Sequence, residues 1–145
     1  MKLYNILMIY VLFLLSCKSN NINYDRKLEI TKNNTIPKEY IGRYTAYIQT
    51  EQTSAGMASI TYNFEINKVN AYLETQTYHE PIRCNGIFRI INKKDHLELY
   101  YDGKNDLCKS AKPNFRIKKE KGKYFIKGIG GELTYLDWQK LKKVK

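Results

Sequence analysis

From Tyr40 onward, apolar and polar residues alternate along the chain. In the run "ASITYNFEIN" the alternation is strict over eight residues, which indicates a strand with one buried and one solvated face. The run "YIGRYTAYIQ" is similar, and we expect Tyr44, Ala46 and Ile48 to point inward. In the first run the expected inward residues are Ile60, Tyr62, Phe64 and Ile66.

Further strand-like runs follow, separated by short polar segments. They are "NAYLETQTYH", "NGIFRIIN", "HLELYYDG", "NFRIKK" and "KYFIKG". The last two flank Glu120-Lys121-Gly122, which predicts a hairpin in which glycine supplies the positive φ that such turns need. The final run, "ELTYLDWQKLKKV", fits either a bulged last strand or a short terminal helix.

Seven or eight strands at this spacing predict an all-β domain, built as an antiparallel meander. Closure into a small barrel leaves no strand edge exposed, and we therefore favour a barrel. A two-sheet sandwich is the alternative, because it has the same alternation along each strand.

The start of the chain has a different pattern. Lys2 is followed by an apolar stretch over residues 4–15, which is shorter than the roughly 20 residues of a membrane-spanning helix and fits a secretory signal. The stretch ends in Leu14-Leu15-Ser16-Cys17, which resembles the lipobox of bacterial lipoproteins. The resemblance implies cleavage before Cys17 and a lipid anchor on that residue. An ordinary signal peptide that contains a cysteine is the alternative.

The chain thus divides into a lipoprotein signal peptide (1–16), a lipidated cysteine with a flexible tether (17–38) and a single β domain (39–145). The tether is rich in Asn and Lys and has too few large apolar residues to form a core. Residue 18 is Lys, whereas an Asp at this position would resemble a signal for retention in the inner membrane. The tether also lacks the run of acidic residues that resembles a signal for export to the cell surface. We expect a lipid-anchored protein of the bacterial cell envelope, on the outer membrane facing the periplasm if the source has two membranes.

Two cysteines remain after Cys17. In an exported domain, Cys84 and Cys108 are expected to form a disulfide. Neither has a second cysteine or a histidine at the spacing of metal ligands, and the sequence therefore predicts no metal site.

The chain is strongly basic, with 25 Lys and Arg against 14 Asp and Glu. The excess is concentrated over residues 116–145, which contain ten Lys and Arg and only three Asp and Glu. Such a surface favours an acidic protein, an anionic envelope polymer or phospholipid headgroups. Export argues against nucleic acid as the partner. A lysine-rich background composition with no partner remains the alternative.

The sequence predicts no catalytic residue and no cofactor. His79 lies at an expected turn and His96 on an expected exposed strand face, and no serine has a nucleophile motif around it. The run "YDGKND" lacks the ligand order of a calcium loop and is interpreted as a turn. The run "GIGGE" is too short to cradle a phosphate and is interpreted as a loop or bulge.

Tyrosine is abundant, and most of its rings are expected to cover the edges of the core. Tyr100 and Tyr101 are neighbours in a strand, so one ring should be buried and the other exposed. Lys118, Lys121 and Lys142 should lie outside the apolar face of the last strands. The candidate partner-binding residues are Lys118, Lys121, Lys142, Tyr100 and Tyr101.

As a whole the chain resembles small bacterial lipoproteins with one β domain. It is distantly similar in size, lipobox and paired cysteines to the lysozyme-inhibitor lipoproteins, with only a Trp-x-Lys echo of their C-terminal signature at Trp138 and Lys140. The resemblance implies a non-enzymatic inhibitor or immunity factor, and the charge suits an acidic envelope-acting enzyme or toxin as its target. The alternatives are a barrel that carries a small molecule or lipid, and a structural envelope component.

Overall fold

A computed structural model describes residues 35–81, 84–130 and 135–144. This part of the chain contains eight β-strands and two single-turn 3₁₀ helices, Lys38–Tyr40 and Asp106–Cys108. No helix of these residues is long and apolar enough to span a membrane. The strands are β1 (Gly42–Thr53), β2 (Gly56–Ile66), β3 (Asn70–Tyr78), β4 (Gly86–Asn92), β5 (Leu97–Tyr101), β6 (Phe115–Glu120), β7 (Lys123–Lys127) and β8 (Gln139–Val144).

The strands form a closed antiparallel barrel. Each strand pairs with the next one in sequence, and β8 returns to pair with β1, with Lys142 opposite Thr45. The prediction of an all-β meander closed as a barrel is confirmed, and the alternative of a two-sheet sandwich is wrong. The end of the chain is a strand rather than a helix, because residues 139–144 complete the ring of hydrogen bonds.

Side chains fill the barrel interior. Tyr44, Ala46 and Ile48 of β1 are buried, as are Tyr62, Phe64 and Ile66 of β2, while Ile60 is half-buried against the same core. The ring of Phe115 lies 5.3 Å from those of Phe64 and Phe88 at the centre of an aromatic cluster. Eight strands enclose just enough space for such side chains, so this interior is a packed core.

The predicted hairpin between β6 and β7 is present, but its turn consists of Lys121 and Gly122 alone, because Glu120 is the last paired residue of β6. Lys121 and Gly122 both have positive φ, at 49° and 77°, which is the backbone of a two-residue turn matched to the twist of the strands. The turn places Glu120 opposite Lys123 and therefore Lys118 opposite Phe125.

One end of the barrel, which we call the entry end, is crossed by residues 35–41 and carries the turns 67–69, 93–96 and 121–122. Ile36 and Tyr40 are buried there. The Tyr44 hydroxyl donates to the Tyr40 carbonyl at 2.8 Å, and the Tyr124 hydroxyl donates to the Glu39 carbonyl at 2.6 Å. The barrel core therefore includes Ile36, which the sequence pattern assigns to the tether.

The opposite end, which we call the far end, carries the described parts of the connections 54–55, 79–85, 102–114 and 128–138. Cys84 and Cys108 form a disulfide across two of these connections, with their Cα atoms 5.4 Å apart. Ile129 is fully buried, and the backbone N–H of Gly130 donates to the Tyr62 hydroxyl at 3.1 Å. Side chains and a covalent crosslink thus close this end as well.

Candidate functional site: the outer face of strands β6 to β8

Strands β6, β7 and β8 present a strongly basic outer surface. Because Ile117, Ile126 and Leu141 point into the core, the residues on either side of them point outward. We call this surface the basic face, and it carries six cations, one carboxylate and two aromatic rings. Its residues are Arg116, Lys118, Glu120, Lys123, Phe125, Lys127, Trp138, Lys140 and Lys142.

Lys118 lies at the centre of the basic face. Its amino group is 4.8 Å from the centroid of the Trp138 ring and 5.7 Å from that of Phe125, and it donates to the Glu120 carboxylate at 2.9 Å. The Lys118 hydrogen bond lowers the pKa of Glu120. Each cation–π contact at such a half-buried place contributes on the order of 1 kcal/mol. Lys118 therefore holds the two rings and the carboxylate together.

Three other lysines of the basic face extend into solvent. Lys123, Lys140 and Lys142 are exposed, and Lys140 lies opposite Phe125 in the pairing of β7 with β8. These amino groups and the flanking rings can meet a carboxylate-bearing surface directly. Charge-assisted contacts of this kind are stronger than neutral hydrogen bonds and are favoured where the partner is anionic.

The outer face of strands β1 to β3 has a different chemistry. It carries mostly amides and hydroxyl groups, so the positive charge of the barrel is concentrated on the other side. Its uncharged residues include Thr45, Tyr47, Gln49, Ser59, Thr61, Asn63 and Gln76.

Tyr100 and Tyr101 point to opposite faces of β5, but both are half-buried, so the expectation of one buried and one exposed ring is wrong; the Arg89 guanidinium lies 4.9 Å from the centroid of the outward Tyr100 ring. The Tyr101 ring packs 5.3 Å from that of Phe88, and its hydroxyl donates to the Asn85 carbonyl at 3.4 Å. The Tyr100 hydroxyl donates to Glu98 at 3.0 Å on the outer surface. Since Glu98 also accepts from Arg116 at 3.4 Å, Tyr100 lies at the edge of the basic face, whereas Tyr101 belongs to the core side.

Glu98 is the centre of a polar network beside the basic face. Its carboxylate also lies 3.8 Å from Lys93 and 3.6 Å from Nε2 of His96. Burial by itself would raise the pKa of Glu98, but the hydrogen bond from Tyr100 and the charge of Lys93 outweigh it and lower the pKa. Glu98 is therefore an ionised residue that ties β5 to β6, rather than a proton donor at neutral pH.

A small cavity lies where the basic face meets the far end. It has a volume of about 30 Å³ and is lined by residues that include Phe115, Arg116, Lys127 and Leu136. Pockets for organic ligands measure roughly 300–1,000 Å³, so this cavity has room only for water.

The structure places the predicted site residues as follows. Lys118 and Lys142 lie on the basic face, and Lys121 lies in the turn at its entry-end edge. Cys17 lies outside the described residues. Sequence reasoning missed Phe125 and Trp138 as members of this surface. A two-residue turn between β6 and β7 was the available signal for Phe125, because it places this ring opposite Lys118. The Trp138 contact depends on how the chain returns from β7 to β8.

Comparisons of the chain with protein families, with curated proteins and with solved structures find no match. Function is therefore inferred from the residues of the chain and their arrangement. The basic face is the surface at which charge and exposed aromatic area coincide.

Proposed function

We propose that this chain is a membrane-anchored envelope lipoprotein without enzymatic activity, which binds an acidic protein through the basic face. The observation that carries the proposal is the set of six cations around Phe125 and Trp138 on one outer surface. Aromatic rings and Arg are enriched in protein interfaces, and the positive field steers an acidic partner toward them. The packed interior supports the choice of an outer surface over a carrier barrel.

The biological role follows from the expected location. A protein held in the envelope by a lipid on Cys17 meets cell-wall enzymes and delivered toxins, and a basic barrel binds an acidic member of either class. We therefore propose that it acts as an inhibitor or immunity factor. Occlusion of the target by the rigid barrel needs no chemistry from the barrel itself.

The test is capture of a partner from envelope extract by the mature chain from residue 17, carrying Cys17→Ser. It is compared with a face variant in which three lysines of the basic face are reversed: Lys127→Glu, Lys140→Glu and Lys142→Glu. We expect the native chain to retain an acidic protein that the face variant loses. The captured enzyme or toxin should then be inhibited when the purified barrel is added.

A matched control separates the basic face from net charge. The far-end variant, Lys104→Glu, Lys109→Glu and Lys112→Glu, changes the charge by the same amount in the connection between β5 and β6, outside the basic face. It should capture the partner as the native chain does. Equal loss in both variants, or capture of nothing by the native chain, would contradict the proposal. Capture of an anionic polymer in place of a protein would support the alternative partner class.

A further inference from the structure

The described connections at the two ends of the barrel differ in charge. The entry end carries five lysines and two carboxylates in residues 35–41 and its three turns, whereas the described far-end connections carry three lysines and four carboxylates. The lysines of the entry end are Lys38, Lys68, Lys93, Lys94 and Lys121.

The carboxylates of the entry end are already engaged. Glu39 binds the amino group of Lys119 at 2.7 Å, and Asp95 contacts Nδ1 of His96 at 2.8 Å, a hydrogen bond that lowers the pKa of Asp95. Within the described ranges, Lys38, Lys68 and Lys94 are exposed and have no carboxylate partner. Their positive charge is therefore available to an anionic surface.

The turn between β2 and β3 presents an apolar tip at this end. Val69 is 77% exposed, and it follows Lys68 directly. The side chain of Asn67 accepts from the backbone N–H groups of Val69 and Asn70 at 2.8 and 2.9 Å, which fixes the turn. An apolar side chain beside lysines matches the boundary between headgroups and acyl chains of a bilayer.

The chain also reaches the barrel at this end. The carbonyl of Thr35 accepts from the Asn92 side chain at 2.9 Å, and the residues before it lead back to Cys17. On the sequence-based proposal that residues 17–34 act as a flexible tether, their root-mean-square reach would be roughly 20–25 Å. A lipid on Cys17 would therefore hold the entry end, rather than the far end, close to the membrane.

We propose that the entry end docks on anionic phospholipid headgroups, with Lys38, Lys68 and Lys94 as the main contacts and Val69 at the boundary. The inference rests on the proposed function for the anchor, and it leaves the basic face on the side of the barrel free for the protein partner. Because the anchor keeps the two surfaces together, a contact that is weak for the free protein is sufficient for the anchored one. Each lysine near such a surface strengthens binding by about fivefold.

The test uses the mature chain carrying Cys17→Ser, which has no lipid, and sedimentation with vesicles. Vesicles of phosphatidylglycerol and phosphatidylcholine should bind the native chain at low salt, and pure phosphatidylcholine should not. The entry-end variant, Lys38→Gln, Lys68→Gln and Lys94→Gln, should bind about 100-fold more weakly.

Two further proteins complete the design. A neutral far-end control, with Lys104, Lys109 and Lys112 changed to Gln, should bind within about threefold of the native chain. Val69→Asp should weaken binding without changing thermal stability, because its side chain is exposed. Near-ultraviolet circular dichroism checks that each variant is folded.

Absence of vesicle binding by the native chain, or equal weakening by the entry-end and far-end changes, would overturn the inference. The outcome is distinguishable from failure of the proposed function. The entry-end variant should still capture the acidic protein, and the face variant, which keeps Lys38, Lys68 and Lys94, should still bind vesicles.

Discussion

Reduction of the disulfide between Cys84 and Cys108 should destabilise the barrel by a calculable amount. The crosslink joins residues 24 positions apart in sequence. On the chain-entropy relation, closing a loop of this length in the unfolded state corresponds to about 3.5 kcal/mol in the free energy of unfolding. For a domain of this size the expected decrease in Tm is roughly 10–15 °C.

The assay is thermal unfolding followed by circular dichroism, with and without reductant. The double variant Cys84→Ala, Cys108→Ala should unfold at a Tm near that of the reduced native chain and should not respond to reductant. The variant also loses some packing at the buried Cys108 side chain, which the reduced native chain keeps, so its Tm should be slightly lower. An unchanged native Tm in reductant, or two free thiols in exported protein that is denatured without reduction, would refute the reasoning.

Three further predictions concern packing and charge. Phe115→Ala should lower the free energy of unfolding by about 3–5 kcal/mol in urea titrations, because its ring packs 5.3 Å from two others; a loss below 1 kcal/mol would contradict the packing. Gly128→Ala should lower the Tm more than Gly122→Ala, since a Cβ at residue 128 would collide with the Asn114 carbonyl and one at residue 122 would meet open space. Equal Tm values for the two variants would contradict this expectation. Glu98→Gln should flatten the acid side of the stability profile. The folded pKa of Glu98 lies below its ordinary value of 4.5. The contribution of Glu98 to the free energy of unfolding is therefore complete above that pH and is lost as the pH falls through the folded pKa. An unchanged dependence of stability on pH in the variant would count against the network.

The sequence pattern predicted the inward face of the strands correctly. Tyr44 and Phe64 occupy alternate positions that only one register can bury, so period-two alternation identified them. Closure of the barrel was harder to establish, because a sandwich has the same alternation. It depends on the pairing of Lys142 with Thr45, residues far apart in the chain, and no local pattern encodes that contact.

The entry segment shows a second limit of sequence reasoning. Ile36 lies in an Asn- and Lys-rich stretch whose average composition indicates a tether, yet this one side chain is only 4% exposed. A single apolar residue produces no periodicity, so its burial follows from packing in the core and from the hydrogen bond of the Asn92 side chain to the adjacent Thr35 carbonyl.

The basic face was partly predictable. Charge counting located the cations, whereas the position of Phe125 opposite Lys118 depends on a two-residue turn that leaves Glu120 in β6. The stacking of Lys118 on Trp138 depends on the path of the chain between β7 and β8, which composition does not determine.

The measurement that tests the central claim most directly is the association rate of the barrel with its captured acidic partner as a function of salt. Electrostatic steering predicts that the native rate falls steeply between low and physiological ionic strength. The face variant should associate slowly at low salt with little salt dependence, while the far-end variant with the same net charge should behave like the native chain. Identical salt dependence in all three proteins would contradict a specific role for the basic face.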